Sequence, residues 1–332
     1  MYAARLHAFG PPDNLRWERV DDPVPAPGQV IVAVASAGVH LIDTVWRAGI
    51  QRGPAPLPPL PMTLGREVAG VVDALGPDVD AAWLGRRVVA HLASGTGGYA
   101  ERVAVAVGAL HGLPAGLGDA AAVAMIGTGR TTLGILEVAE LKPDDVVLVT
   151  AAAGGIGTLL IQAAQAAGAV VVAVAGGPGK LGQVRALEAA VAVDYLRPGW
   201  PATVRSALGD AGVGPVTVAL DGVGGEIGRS ALELVGPGGR VVTFGWASGS
   251  PTPPVDSDDR VQPGVTVTTA LGPRMFDRPG GLRSLEEAAL AAAAAGTLVP
   301  VVGQRFSLPE AAVAHRAVET RATVGKTVLV PG

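Results

Sequence analysis

Apolar and polar positions alternate in short runs through the first part of the chain, broken by glycine and proline. The alternation predicts strands over Tyr2–Leu6, Leu15–Val20, Gln29–Ala35, Glu67–Leu75, Arg87–His91 and Tyr99–Val105. Turn-rich segments such as Asp21 to Gly28 separate them. Gly53–Pro61 is too proline-dense for a helix or a central strand and reads as a surface loop. From about Ala121 the texture changes. Alanine- and leucine-rich helical segments alternate with short valine-rich strands, Val170–Ala175, Val191–Val193, Val216–Leu220, Arg240–Phe244 and Val265–Thr269. That alternation predicts a doubly wound parallel sheet. Gly281–Ala295 reads as a helix, and Gln304–Phe306 and Thr327–Val330 return to strands. The order is that of an α/β protein in which a β domain, residues 1–122 and 271–332, is interrupted by an α/β domain, residues 123–270.

Within the α/β part, Val146-Val-Leu-Val-Thr150 runs into Ala151-Ala-Ala-Gly-Gly155-Ile-Gly157, and a helix from Thr158 to Ala167 follows, closed by Gly168. This is a βαβ unit with a small-residue first turn, the arrangement that sets a dinucleotide pyrophosphate on a helix N-terminus. Against G-x-G-x-x-G the match is partial: Ala152, Gly154 and Gly157 hold the three glycine positions. NAD sites place an acid about 20 residues further on, at the end of the second strand, whereas NADP sites omit it and supply a cation. Here the turn reads Ala175-Gly176-Gly177-Pro178-Gly179-Lys180, with no acid and one of the chain's three lysines. The cofactor expected is NADPH. No charged residue occurs from Val146 to Gly179, a run long enough to span a bilayer. Its strand–helix–strand rhythm and its glycines instead identify strands covered on both faces.

Composition narrows the function. The 332 residues suggest about two domains. A net charge of −4 gives no basic footprint for nucleic acid or an anionic membrane, so the expected partner is a small-molecule substrate. The absence of cysteine removes thiolate nucleophiles and cysteine-based zinc sites. It fits a reducing compartment, and with no apolar leader after Met1 a cytoplasmic location is expected.

A set of ordered motifs runs the length of the chain: Pro25-x-Pro27-Gly28-Gln-Val30, Ala37-Gly-Val39-x-x-x-Asp43, Gly65-Arg-Glu67-Val-Ala-Gly70, Gly97-Gly-Tyr99-Ala-Glu101, Ala151 to Gly157, Asp221-Gly-Val-Gly-Gly225 and Gly325-Lys326. Through them the chain resembles the medium-chain dehydrogenase/reductase superfamily and, within it, the zinc-independent quinone oxidoreductase family. The resemblance implies a GroES-like β domain carrying the substrate loops, a Rossmann NADP-binding domain and an active site in the cleft between them. It also implies an edge-paired homodimer. Zinc-dependent relatives place cysteine and histidine where this chain has His40 and Arg66. No metal is therefore expected, and Arg66 is assigned to an ion pair inside the β domain.

The resemblance assigns cofactor positions residue by residue. Ala153, Gly154, Gly155 and Ile156 lie over the pyrophosphate, and Gly176 and Lys180 lie near the 2′-phosphate. Tyr195 stands beside the adenosine phosphate or closes the core as a strand-end aromatic. Phe244, Gly245 and Trp246, with Gly272 and Pro273, lie beside the nicotinamide. Thr131 or its neighbour Arg130 approaches the carboxamide, and Arg321 either approaches the cofactor or is a surface residue. On the substrate side the family's asparagine, aspartate and tyrosine are matched by His40, Asp43 and Gln51. His40 is a candidate proton donor, a ribose contact or a packed histidine. Asp43 either orients His40 or a ribose hydroxyl, or caps the helix near Thr44–Arg47. The activity implied is NADPH-dependent reduction of a quinone or an α,β-unsaturated carbonyl. The alternatives are an enoyl or enone reductase for a bulky biosynthetic substrate and a non-catalytic NADPH-binding protein.

Overall fold

The computed structural model describes residues 1–51, 56–92, 95–252 and 261–332. The chain divides into two compact units, Met1–Gly127 with Glu286–Gly332, and Thr128–Leu285. The second crossing falls later in the sequence than residue 271. Met275 packs over Gly134, and Arg278 pairs with Glu137 at 2.8 Å, so residues 271–285 cluster with the α/β unit. Part of the loop expected over Gly53–Pro61 lies outside the described residues.

In the first unit the long strand Gln29–Val39 is central. It pairs antiparallel with Glu67–Leu75, with Arg102–Ala106 and, on its other side, with the returning strand Lys326–Val330. Val302–Ser307 extends the sheet beyond Lys326–Val330, and Arg87–His91 and Leu110–Gly112 extend it past Glu67–Leu75. A smaller sheet holds Leu15–Arg19, Tyr2–Leu6 and Met62–Thr63. The strand alternation is realised in the core, where Val30, Val32, Val34, Val72, Val88, Ala90 and Leu329 point into one buried cluster. The expected strand over Tyr99–Val105 forms only from Arg102. Before it, Tyr99 to Glu101 bond elsewhere: Tyr99 N–H donates to the Leu64 carbonyl (2.9 Å), the Tyr99 carbonyl accepts from Ala4 N–H (2.8 Å), Ala100 bridges Ala3, and the fully buried Tyr99 hydroxyl donates to Asp43.

In the second unit the described strands run, in spatial order, Val191–Asp194, Val170–Ala175, Val146–Val149, Val216–Asp221, Val235–Thr243 and Thr266–Thr269. Every neighbouring pair is parallel. Numbered within the unit this is the order 3-2-1-4-5-6, whose direction of winding reverses between Val146–Val149 and Val216–Asp221. All four residues of Val146–Val149 are buried, as a strand covered on both faces requires. No helix among the described residues is long and apolar enough to cross a membrane.

Candidate active site

The expected cofactor residues of the second unit gather on one edge. Gly154 to Ile156 follow Val146–Val149, Gly176 follows Val170–Ala175, Tyr195 follows Val191–Asp194, Phe244 to Trp246 follow Val235–Thr243, and Gly272 and Pro273 come after Thr266–Thr269. These are the carboxyl ends of the parallel strands, where open α/β sheets bind ligands. Thr131 lies in the helix Arg130–Ala139.

The turn after Val149 explains the partial fingerprint. Ala151 takes the left-handed conformation (φ 48°), so the alanine at the first glycine position, Ala152, needs no special backbone. Gly157 cannot be replaced as freely. A methyl group there would lie 2.7 Å from Ala152 Cα, so glycine lets the helix Gly155–Ala166 pack against the turn. Gly154 caps that helix without a side chain, which leaves its first amides available to an anion. Beside it, at the reversal point, Thr150 Oγ1 donates to Asp221 Oδ1 (2.7 Å) and accepts from the Gly222 amide (2.9 Å). Asp221 also accepts from the Val223 amide (2.9 Å), the Gly224 amide (3.1 Å) and the Thr252 hydroxyl. This fully buried carboxylate fixes the loop Gly222–Gly224. In the sequence Asp221 stands only as the first residue of the motif Asp221-Gly-Val-Gly-Gly225, and nothing local marks this role.

Where the 2′-phosphate is expected, Gly176 lies against Tyr195. A methyl group on Gly176 would come within 3.1 Å of the tyrosine ring. Lys180 stands in the first turn of the helix Pro178–Ala186. The Asp194 carboxylate is turned to the amides of Gly177 (2.9 Å) and Leu196 (3.0 Å), which holds the loop in place.

The first unit builds a second constellation from three neighbouring strands. His40 directly follows Gln29–Val39, Glu67 begins Glu67–Leu75, and Lys326 begins the returning strand, whose Thr327 pairs with Val39. Register therefore brings their side chains together. His40 Nε2 lies 2.7 Å from Glu67 Oε2 and 2.7 Å from Lys326 Nζ, and Lys326 Nζ lies 2.8 Å from Glu67 Oε2. Glu67 is fully buried, Lys326 nearly so, and the His40 side chain is 22% exposed. Glycine makes the space: a methyl group on Gly38 would overlap Glu67 Oε2, and one on Gly127 would overlap Glu67 Oε1. Gly127 lies in the π-helical turn Met125–Gly129, a local irregularity of the kind found at functional sites. Burial alone would push the Glu67 carboxyl up. The His40 imidazole and the Lys326 ammonium outweigh that and hold it well below the usual carboxylate range. Burial pushes the His40 imidazole below its ordinary value, and Lys326 adds to this against the opposing pull of Glu67 and Asp43.

The candidate carboxylate Asp43 is fully buried. Its Oδ2 accepts from the His40 backbone N–H (2.9 Å) and the Tyr99 hydroxyl (3.1 Å), and its Oδ1 accepts from Arg66 Nε (3.0 Å). Asp43 is thus the helix cap of Leu41–Arg47, the second of the two roles open to it, and it positions His40 through the backbone. Arg66 makes the expected ion pair inside the unit and also covers the Trp46 ring, 4.8 Å from its centroid. Behind Tyr99 lies His315 (Nε2 to hydroxyl 3.1 Å), whose pKa burial lowers to about 4. Arg321 is exposed, with a left-handed backbone (φ 56°), just after the helix Ala311–Glu319.

A GroES-type β unit and a dinucleotide-binding unit of this strand order define a nicotinamide-dependent oxidoreductase. Residues 26–115 match the family model described as the alcohol dehydrogenase GroES-like domain, and residues 155–287 match that of the zinc-binding dehydrogenases. The chain is 33% identical to a quinone oxidoreductase of Pseudomonas aeruginosa over 98% of both chains. It is 31% identical to a 2-haloacrylate reductase of a Burkholderia species over 99% of this chain and 98% of that one. The structure of Escherichia coli quinone oxidoreductase complexed with NADPH superposes with a TM-score of 0.85 at 27% identity, covering both chains completely. The chain belongs to the quinone oxidoreductase family of the medium-chain dehydrogenase/reductase superfamily.

The zinc named in one of those family descriptions does not fit these residues. A catalytic zinc needs three protein ligands and an open position. His40 and Glu67 offer two, and the atoms that would bind the ion already contact the Lys326 ammonium. Among the described residues no group of three or more His, Cys, Asp or Glu is placed to hold a metal.

Proposed function

We propose that this protein is an NADPH-dependent reductase of electron-poor double bonds, transferring a hydride to a quinone or an α,β-unsaturated carbonyl. The observation that carries the cofactor choice is the loop after Ala175. Gly176, Tyr195 and Lys180 surround it, and its neighbouring carboxylate, Asp194, is engaged with backbone amides. The substrate class rests on the relatives. Quinones and 2-haloacrylates share a carbon–carbon double bond conjugated to a carbonyl or carboxyl group. His40 and Gln51, which replace the family's asparagine and tyrosine, favour an enone or alkenal over a quinone.

Bound NADPH would supply the hydride. The chain supplies the rest. The amides at Gly154–Ile156 bind the pyrophosphate, Lys180 binds the 2′-phosphate, and Phe244, Gly245 and Trp246 flank the nicotinamide. His40 hydrogen-bonds the substrate oxygen and delivers the proton that completes the reduction. The direct test is oxidation of NADPH with a panel of quinones, 2-alkenals and cyclic enones. Turnover supports the reading, whereas tight NADPH binding without turnover across the panel would assign the protein a binding role.

NADPH should bind more tightly than NADH, and Lys180→Ala should weaken NADPH by about tenfold or more while sparing NADH, because a charge-assisted contact contributes roughly 1.5–3 kcal/mol. Equal affinities in the unmutated protein, measured by calorimetry, would refute this. We also propose an edge-to-edge homodimer. Thr266–Thr269 is exposed along its whole length, with Val267 45% accessible, and among the described strands it pairs only with Val235–Thr243. An open edge of this kind is a template for a second copy. Light scattering at micromolar concentration should give twice the chain mass, and a monomer mass would count against it.

A further inference from the structure

Only one arrangement of hydrogens satisfies the buried chain of groups behind His40. The His40 backbone N–H and Arg66 Nε can only donate, and both donate to Asp43, the first to Oδ2 at 2.9 Å and the second to Oδ1 at 3.0 Å. The Tyr99 hydroxyl donates to the same Oδ2 at 3.1 Å, so its one hydrogen is committed there. Its oxygen is left to accept from His315 Nε2, 3.1 Å away. The His315 ring is neutral at neutral pH, because burial pushes it down to about 4, with Arg47 adding to this against the opposing pull of Asp43. A neutral imidazole has one N–H, and here it must be on Nε2. Nδ1, buried and with no hydrogen-bond partner among the described residues, is then the bare nitrogen. The donors line up in one direction, from His315 through Tyr99 to Asp43, and each bond polarises the next.

The chain ends on His40 from two sides. The Asp43 carboxylate holds the His40 backbone N–H, and in the same capping box the Asp43 N–H donates to the His40 side chain. Its Nε2 is turned to Glu67 and Lys326, so the nitrogen that accepts is Nδ1. Packing fixes the far end of the chain. Gly65 (φ 95°) admits the Tyr99 ring, since a methyl group there would lie 2.5 Å from it. His315 stands edge-on to that ring, with centroids 5.6 Å apart and planes at 86°. One turn further along the helix Ala311–Glu319, on the same face, Glu319 pairs with Arg47, the last residue of the helix that His40 caps. His315 and Glu319 thus grip the two ends of Leu41–Arg47. We propose that His315 is a positioning residue for the reduction, holding the His40 ring in its working orientation through Tyr99 and Asp43. This inference rests on the reductase reading above. Fully buried, His315 touches neither substrate nor cofactor. Without its N–H the Tyr99 oxygen loses its donor, the hydroxyl is free to turn from Asp43, and the capping box that orients His40 slackens.

The first test needs no cofactor. In 15N-histidine-labelled protein the His315 resonances, assigned by their loss in His315→Gln, should report hydrogen on Nε2 and none on Nδ1 at neutral pH. Hydrogen on Nδ1 would make His315 the acceptor, break the line of donors and overturn the proposal. The same spectra read His40. Its ring 15N shifts should move in His315→Leu, because the tie to Asp43 loosens. They should stay in place in His315→Gln, whose side-chain amide keeps an N–H donor for Tyr99. Unmoved His40 shifts in His315→Leu would leave His315 a packing residue. The kinetic test uses an enone that the unmutated enzyme reduces. His315→Leu should lower kcat by about tenfold with the NADPH KM little changed, and His315→Gln should keep most of the rate. Tyr99→Phe retains the ring and removes the hydroxyl, so in that background His315→Leu should cost no further rate. Losses that multiply in the double variant would show that His315 does not act through Tyr99. Should His315→Leu fail to fold, Tyr99→Phe alone decides: it must move the His40 shifts, and shifts that stay in place overturn the chain. If no acceptor is reduced by the unmutated enzyme, the reductase reading fails separately, and the histidine resonances still decide the role of His315.

Discussion

Replacing Glu67 by alanine should destabilise the protein by about 3–5 kcal/mol, because it strands the Lys326 ammonium in a buried site without its counter-charge. The urea midpoint should fall accordingly. The deficit should shrink when Lys326→Met is added, since the double replacement removes both charges together, and the two effects should therefore be strongly non-additive. Additive losses would show that the pair is not coupled as described. The acid side carries a matching expectation. The folded carboxyl titrates below its unfolded value of 4.5, so the contribution of Glu67 is complete above that pH and is lost as the pH falls through the folded value. Above pH 4.5, stability should show no slope that disappears in Glu67→Ala.

His40→Ala should lower kcat by roughly 10²-fold or more with a proton-requiring acceptor, the usual magnitude of general acid catalysis. NADPH affinity should change little. His40 is held on three sides, by Glu67, by Lys326 and by the Asp43 carboxylate on its backbone amide, so its ring is oriented before any ligand arrives. If His40 contacts only a cofactor hydroxyl, the pattern inverts: affinity falls, turnover at saturation survives, and His40→Asn is nearly neutral. Unchanged turnover and affinity in His40→Ala would leave it a packing residue.

Much of the fold was legible along the chain because its strands announce themselves in two ways. Alternation marks the half-covered strands of the first unit, such as Gln29–Val39, and continuous apolar runs such as Val146–Val149 mark a sheet buried on both faces. The edge that gathers the proposed cofactor residues was legible for a related reason: each glycine- or aromatic-bearing turn follows a valine-rich strand, and parallel strands send all such turns to one side. The cluster around His40 was not legible in the same way. Lys326 is 286 residues from His40, and they meet only because the returning strand pairs Thr327 with Val39. Its motif, Gly325-Lys326, served to recognise the family, and no local pattern reveals a long-range register. A cue existed in the scarcity of lysine, which makes each of the three positions worth explaining. Of the three, only Lys180 sits in a turn whose neighbouring sequence suggests a role for it. The clustering of residues 271–285 with the α/β unit is likewise not legible in the sequence, because it follows from side-chain partners, Met275 over Gly134 and Arg278 with Glu137, rather than from any change in texture. The sequence leaves Asp43 open between orienting His40 or a ribose hydroxyl and capping a helix, and only the backbone geometry shows the cap, the common use of an aspartate at that position.

Hydride transfer from NADPH onto a conjugated double bond is the proposed reaction of this chain. Reduction of a 2-alkenal or cyclic enone with NADPH carrying deuterium at the nicotinamide C4 measures this directly. Mass spectrometry and NMR of the product should place one deuterium on the carbon β to the carbonyl and a solvent hydrogen on the α-carbon. Products without deuterium, or no product across the acceptor panel while NADPH remains tightly bound, would contradict it.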